Sequence, residues 1–395
     1  MDTENTELVN GYECSIQSWD DLPIKNDLLR GIYGNGFEKP SPIQRLAIKP
    51  MFDRRDVIGQ AQSGTGKTGT FSIGTLQVID TDVKQIQAII MSPTHELAFQ
   101  IKSVVEQIGS MMKNLTVQLI VGGTSIQDDR EKIRNNTPQI IVGTPGRIYD
   151  LIKRNILNTR DIKLFVLDEA DDMLSAGFKE QIYNIYQYLP KELQTCIFSA
   201  TMPEEILDLT KKFMTDPVKF VMEAPKLNLE CIQQFFVAVG NDHAKYDMLK
   251  HIMNYVNSQC IIYVNSVKRV NDLYGALRND NFSVECIHRD MSKQDRHNAY
   301  QSFKSGAHKI LISSNITARG IDIQQVGLVI NFDIPSNVHT YLHRIGRSGR
   351  WGRKGFAINF ITKHDVNLMK YIENYYKTDI KELPIDDNLQ RLLNL

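Results

Sequence analysis

Short, unbroken apolar runs alternate with longer amphipathic stretches along most of the 395 residues. In the first half the runs are Val57-Ile58, Ala88-Ile89-Ile90-Met91, Leu119-Ile120-Val121, Ile140-Ile141-Val142, Phe165-Val166-Leu167 and Cys196-Ile197-Phe198. Continuous rather than alternating hydrophobicity predicts strands covered on both faces, as in a parallel sheet. The segments between the runs have helix length, which gives repeated strand–helix–strand units. The rhythm fades between Pro217 and Pro225, and residues 223–228 are polar enough for a linker. It resumes with Ile261-Ile262-Tyr263-Val264, Cys286-Ile287, Ile310-Leu311-Ile312, Leu328-Val329-Ile330 and Ile358-Asn359-Phe360. The expected organisation is α/β: a flexible segment over 1–18, a first domain over 19–222, a linker over 223–228 and a second domain over 229–395.

Composition adds constraints. A hydrophobic fraction of 42% and a charged fraction of 23% describe an ordinary soluble protein able to bury sizeable cores. The net charge is zero, so any surface for a polyanion must be local. Cys14, Cys196, Cys231, Cys260 and Cys286 lack metal-site spacing, and three lie in apolar runs. Buried thiols in a reducing, cytoplasmic compartment are expected, which leaves a nuclear location open. The acidic first ten residues do not read as a signal peptide, and no apolar run approaches membrane-spanning length.

The chemistry begins after Val57-Ile58, at Ala61-Gln62-Ser63-Gly64-Thr65-Gly66-Lys67-Thr68. A strand, a glycine-rich turn, Lys-Thr and a helix carrying Phe71, Val78 and Ile79 on one face form a phosphate cradle. The glycines let backbone N–H groups converge on phosphate oxygens at the positive end of a helix. Lys67 would supply charge to the β- and γ-phosphates, and the Thr68 hydroxyl would ligate Mg²⁺. The first glycine of the usual pattern is Ala61. A flexible loop that happens to hold a lysine is the plain alternative. After Phe165-Val166-Leu167 stands Asp168-Glu169-Ala170-Asp171. Asp168 is expected to hold Mg²⁺ through water, and Glu169 to orient or deprotonate the attacking water. Alternatively these acids only cap a helix starting near Asp172.

With these motifs, in this order, the chain resembles the DEAD-box RNA helicases from Trp19 to about Pro384. The resemblance implies two tandem RecA-like domains, each a mostly parallel sheet flanked by helices, and an RNA-stimulated ATPase that unwinds short duplexes or remodels RNA–protein complexes. It implies ATP and Mg²⁺ as cofactors, single-stranded or short duplex RNA and regulatory proteins as partners, and a monomer. In the segment from Gly36 to Gln44, it implies that Gln44 reads the adenine edge, with Phe37, Lys39 and the upstream Trp19 beside the nucleotide. Ser199-Ala200-Thr201 resembles the motif that couples hydrolysis to RNA opening. Pro93-Thr94-His95, Gly122-Gly123 and Thr144 to Arg147 resemble the RNA face of the first domain. Each follows an apolar strand, so all three are expected at one sheet edge. In the second domain the resemblance implies RNA contacts at Asn265, Arg289, Arg296, Ser314 and Arg319, and a ribose contact at Asp322. His343, Arg347 and Arg350 resemble the segment whose arginines reach the γ-phosphate. Three residues apart, Arg347 and Arg350 share a face if that segment is helical. A catalytically weak RNA clamp and a DNA translocase are the rival functions.

The chain departs from the family at several positions. His95 stands where the family has Arg, Lys293 where it has Gln, and Ser314-Asn315 where it has Thr-Asp. Arg289 replaces a glycine, the residue best suited to a positive φ.

Overall fold

The computed structural model describes residues 16–61, 64–221, 232–314, 326–348 and 355–384. They form two compact units divided between Ala224 and Pro225. The expected linker at 223–228 lies outside the described residues.

The first unit holds seven parallel strands: β1 (Val57–Gln60), β2 (Ala88–Met91), β3 (Val117–Ile120), β4 (Ile140–Gly143), β5 (Leu164–Asp168), β6 (Gln194–Ser199) and β7 (Val218–Val221), ordered β3-β4-β2-β5-β6-β1-β7. Successive residues of one strand enter different cores, which is why the runs carry no polar alternation. In β2, Ala88 and Ile90 join the core on one face, Ile89 and Met91 the core on the other. β7, in the weakly patterned stretch, was not legible from the runs. It is an edge strand that buries Val218 and Phe220 and exposes Lys219 and Val221.

The second unit repeats the plan with β8 (Ile232–Ala238), β9 (Gln259–Tyr263), β10 (Val284–Ile287), β11 (Ile310–Ser313), β12 (Val326–Asn331), β13 (Gly355–Ile361) and β14 (Lys381–Glu382), ordered β10-β11-β9-β12-β13-β8-β14, again parallel throughout. β8 escaped the hydrophobic pattern because Gln233 and Gln234 interrupt it. Gln234 is tolerated in the interior because its Oε1 accepts from the Tyr341 hydroxyl at 2.9 Å and its Nε2 donates to Thr378 at 2.9 Å. Cys196, Cys260 and Cys286 are buried free thiols, and burial raises the pKa of each. Among the described residues no helix is long and apolar enough to cross a membrane.

The helix Lys67–Val78 is buried on nearly all sides, including Thr70, Ser72 and Thr75. Thr75 can be buried because its hydroxyl donates to the Phe71 carbonyl at 2.7 Å. Ile79, expected on the face of this helix, is its C-terminal cap. The helices Asn26–Gly34 and His95–Ile108 meet at Gly31, where a Cβ would overlap the carbonyl oxygen of Ile108. We therefore expect Gly31→Ala to destabilise the fold by about 1–3 kcal/mol. Gly34→Ala, with no atom within 4 Å of the new Cβ, should leave the melting temperature unchanged or raised. Equal thermal melts for the two variants would contradict this close crossing.

Candidate functional site

All strands of the first sheet are parallel, so their carboxyl ends share one edge, and the strand order sorts the motifs along it. β5, β6 and β1 are neighbours; their carboxyl ends carry the Asp168-Glu169 turn, the Ser199-Ala200-Thr201 turn and the glycine-rich loop. β3, β4 and β2 are also neighbours, and they carry the three loops assigned to RNA. The expectation that these loops leave one edge holds.

In the glycine-rich loop Gly64 and Gly66 have φ of 86° and 104°, values that an L side chain rarely adopts. Gly66 is the N-terminal cap of the helix Lys67–Val78. Ala61 departs from the usual glycine without penalty: its methyl is buried in the core, and its N–H donates to the Ser199 carbonyl at 3.0 Å. Thr65 and Thr68 are half-buried; Gln62 and Ser63 lie outside the described residues.

The loop rests on the segment expected to read adenine. Ser41 and Gln44 form the capping box of the helix Pro42–Phe52, with Gln44 Oε1 accepting from the Ser41 N–H at 2.7 Å. The Gln44 Nε2 donates to the Gly66 carbonyl at 3.4 Å. A Cβ on Gly66 would lie 2.6 Å from Ser41 Oγ, and one on Gly69 would lie 2.7 Å from Gln44 Nε2. Both glycines thus permit close approach. Phe37 is half-buried beside Gly69, and Lys39 is exposed. Trp19 is fully buried, and its indole N–H donates to the Phe37 carbonyl at 2.8 Å. It holds Phe37 from behind rather than facing the site.

Lys67 and Glu169 form a buried ion pair at 3.1 Å, their side chains 4% and 6% exposed. Burial alone would lower the Lys67 pKa, but the charges of Glu169, Asp168 and Asp171 outweigh it and raise it. Glu169 adopts a left-handed backbone conformation, φ 50°, an uncommon one for a residue with a Cβ. It caps the helix Ala170–Ser175 without a side-chain hydrogen bond, so the helix-capping alternative does not account for its carboxylate. Burial and the neighbouring Glu169 charge push the Asp168 carboxyl up to about 7, against the opposing pull of Lys67. The charges of Asp168, Glu169 and Asp171 all act on the buried Lys67. Such an oxygen-rich cluster suits a hard divalent cation such as Mg²⁺, which Asp168 and the Thr68 hydroxyl could hold.

Asp171 joins two of the motifs. Its N–H donates to Ser199 Oγ at 3.3 Å, and its carboxylate accepts from the Thr201 hydroxyl at 2.7 Å. Sequence reasoning assigned Asp171 no role, although the two hydroxyls 28 and 30 residues onward were both singled out.

On the RNA side, Thr94 caps the helix His95–Ile108, accepting from the Leu97 N–H at 3.2 Å. Pro93 precedes that cap, and a Cβ on Gly122 would lie 3.6 Å from His95 Nε2, so the two loops touch. Gly123 has φ 75°, and Thr144 caps the helix Pro145–Lys153. Arg147 is a clamp: its side chain, 9% exposed, pairs with the buried Asp129 at 2.8 Å and donates to the Thr124 hydroxyl at 3.1 Å. It ties the Gly122-Gly123 loop to its neighbour, so its guanidinium is committed within the protein.

In the second unit β10, β11 and β9 are neighbours. Their carboxyl ends carry Arg289, Ser314 and Asn265. Arg289 is 78% exposed and has no positive φ, so the family's glycine is not required by backbone conformation there. Arg296 donates to the Met291 carbonyl at 3.4 Å. Asn265 Nδ2 donates to the Ile334 carbonyl at 2.9 Å, and its Oδ1 accepts from Arg344 at 2.8 Å. The fully buried Arg344 also bonds Asn331 Oδ1 and the Asp333 carbonyl, and lies 5.1 Å from the Tyr263 ring centroid. Sequence reasoning passed over it between His343 and Arg347. The helix Val338–Ile345 ends before Arg347, and Gly346 and Arg347 lie in a turn. Arg347 Nε donates to the His343 carbonyl at 3.3 Å. Arg319, Asp322 and Arg350 lie outside the described residues.

The Asp168 carboxyl gives a stability signature. Its folded pKa lies above its unfolded value of about 3.9. Between these values the folded protein holds a proton that the unfolded chain has released, so stability falls as pH rises through that window. Asp168→Asn should remove this slope and raise the ligand-free melting temperature at about pH 8 by roughly 3 °C. An unchanged or lowered value would contradict the electrostatic strain.

Comparison with known proteins agrees with this layout. A DEAD/DEAH box helicase model matches residues 41–209, and a helicase conserved C-terminal domain model matches residues 244–352. The chain is 49% identical to the ATP-dependent RNA helicase eIF4A of Kluyveromyces lactis, over 97% of this chain and 96% of the relative. It is 49% identical to eukaryotic initiation factor 4A-III homolog A of Oryza sativa subsp. japonica, over 98% of this chain and 96% of that protein. The Saccharomyces cerevisiae Dbp5 structure bound to RNA and ADP BeF3 has a TM-score of 0.89 at 35% identity, covering 96% of this chain and 99% of Dbp5. The tandem parallel sheets, the ordered motifs and these near-full-length matches establish that the chain belongs to the DEAD/DEAH box helicase family.

Proposed function

We propose that the chain is an RNA-stimulated ATPase that uses ATP hydrolysis to part short RNA duplexes or to remodel RNA–protein complexes. The observation that carries this reading is the buried Lys67–Glu169 pair, with Asp168 beside it, on the same sheet edge as the three loops after β2, β3 and β4. Lys67 exchanges its carboxylate partner for the β- and γ-phosphates of ATP. Glu169, released from that pair, orients the attacking water and takes its proton, giving ADP and phosphate. Mg²⁺, when bound, offsets phosphate charge. Gln44, already bonded to the Gly66 carbonyl, links base recognition to the phosphate loop. Asp171, shared by Ser199 and Thr201, links the catalytic turn to the next strand. Arg347 and Arg350 act on the γ-phosphate, and Asp322 on the ribose, as the family resemblance assigns. The names of the relatives support ATP and RNA as ligands and a role in initiation.

Two experiments test the reading. Lys67→Ala should weaken ATP binding at least about tenfold, whereas Glu169→Gln should retain binding and lose at least about 100-fold in turnover. Wild-type turnover from Glu169→Gln would remove that residue from the mechanism. His95, where the family has an always-charged arginine, should make RNA affinity strengthen as pH falls from about 7.5 to about 6, because phosphate favours the imidazolium. His95→Arg should flatten that dependence. Identical salt slopes for both proteins at both pH values would mean that His95 neutralises no phosphate.

A further inference from the structure

At the opposite edge of the first sheet, by the amino ends of β2 and β5, a cavity of about 460 Å³ opens among three segments. They are residues 84–86 leading into β2, the helix Ile126–Asn135 with Thr137, and residues 155–161 after the helix Pro145–Lys153. Its floor is aliphatic, made by the buried Ile86 and Ile133 and the half-buried Ile156. Its rim is basic: Lys84, Arg130 and Arg134 are exposed, against one acid, Asp161.

The charge of these three cations is not neutralised by a side-chain partner among the described residues. Among the described residues none of them makes a side-chain hydrogen bond or ion pair. Arg147, on the adjoining helix, and Arg154, its C-terminal cap, are both paired with carboxylates, to Asp129 and Asp150. Arg130 and Arg134 are four apart and therefore neighbours on one helical face. Arg134, in the last turn, complements the negative helix end. That explanation does not extend to Arg130, a turn earlier, or to Lys84, on a loop. The volume lies within the range of roughly 300–1,000 Å³ that holds small ligands or a few side chains.

We propose that this cavity docks a short acidic segment of a partner protein, with one aliphatic side chain on the isoleucine floor and carboxylates on the basic rim. Charge complementarity selects an anion, and the aliphatic floor selects a peptide over a bare phosphate. No aromatic residue lines the cavity, so it offers no platform for stacking a nucleic-acid base. Its place at the amino edge leaves the ATP and RNA loops free while a partner is bound.

The test uses the full chain and an array of ten-residue peptides, each with five Asp or Glu residues and one Leu, Ile or Val moved through every position. Some peptides should bind in fluorescence anisotropy, and the Arg130→Glu/Arg134→Glu variant should lose at least about tenfold in affinity. Replacing the aliphatic residue by Ser should weaken binding several-fold, and Asp161→Lys should tighten it. RNA-stimulated ATP turnover of the charge-reversed variant should match wild type, which shows that it is folded. The proposal is overturned if no peptide binds, if the variant binds as wild type does, or if the aliphatic residue is irrelevant. It is equally overturned if a short single-stranded RNA occupies the cavity with the same dependence on Arg130 and Arg134.

Discussion

The Lys67–Glu169 ion pair is the contact on which the site depends. Taking two charges out of water is unfavourable unless their geometry and partners compensate. Here the pair sits among further carboxylates, one of them pushed well above its ordinary range by burial. The ligand-free site therefore stores electrostatic strain. The backbone supports the arrangement: Glu169 adopts an uncommon left-handed conformation so that its carboxylate reaches back to the phosphate loop rather than capping its own helix.

The parallel sheet converts this pair into a coupled device. Strands of one direction end at one edge, and the order β3-β4-β2-β5-β6-β1-β7 keeps the loops proposed for nucleotide and those proposed for RNA as two adjacent groups. Coupling inside each group uses few atoms. Gln44 joins the segment before the helix Pro42–Phe52 to Gly66, Asp171 joins the turn after β5 to Ser199 and Thr201, and Arg147 joins the loops after β3 and β4 through Asp129 and Thr124. In the second unit Arg344 serves the same purpose from a fully buried position, with burial pulling its guanidinium pKa down to about 10. Its bonds to Asn265, Asn331 and the Asp333 carbonyl fix the carboxyl ends of β9 and β12.

The sequence by itself determined the fold class, the division into two α/β halves and the chemical groups of the phosphate site. Strands buried on both faces must be continuously apolar, and a phosphate cradle requires glycines before a lysine. It could not determine strands whose burial is one-sided or polar: β7 alternates over four residues, and β8 carries two glutamines, one of them held by Tyr341 and Thr378. Only the tertiary structure decided the partner of each polar side chain. Arg147 proved to be a clamp, Trp19 a support behind Phe37, and Asp171 and Arg344 hubs whose partners no local pattern marks. The end of a helix before Arg347 was likewise beyond the reach of residue spacing. The physical reason is one of range. Hydrophobic periodicity and turn chemistry act over a few neighbouring residues, whereas a buried charge is satisfied by whichever distant group the packed sheet brings within about 3 Å.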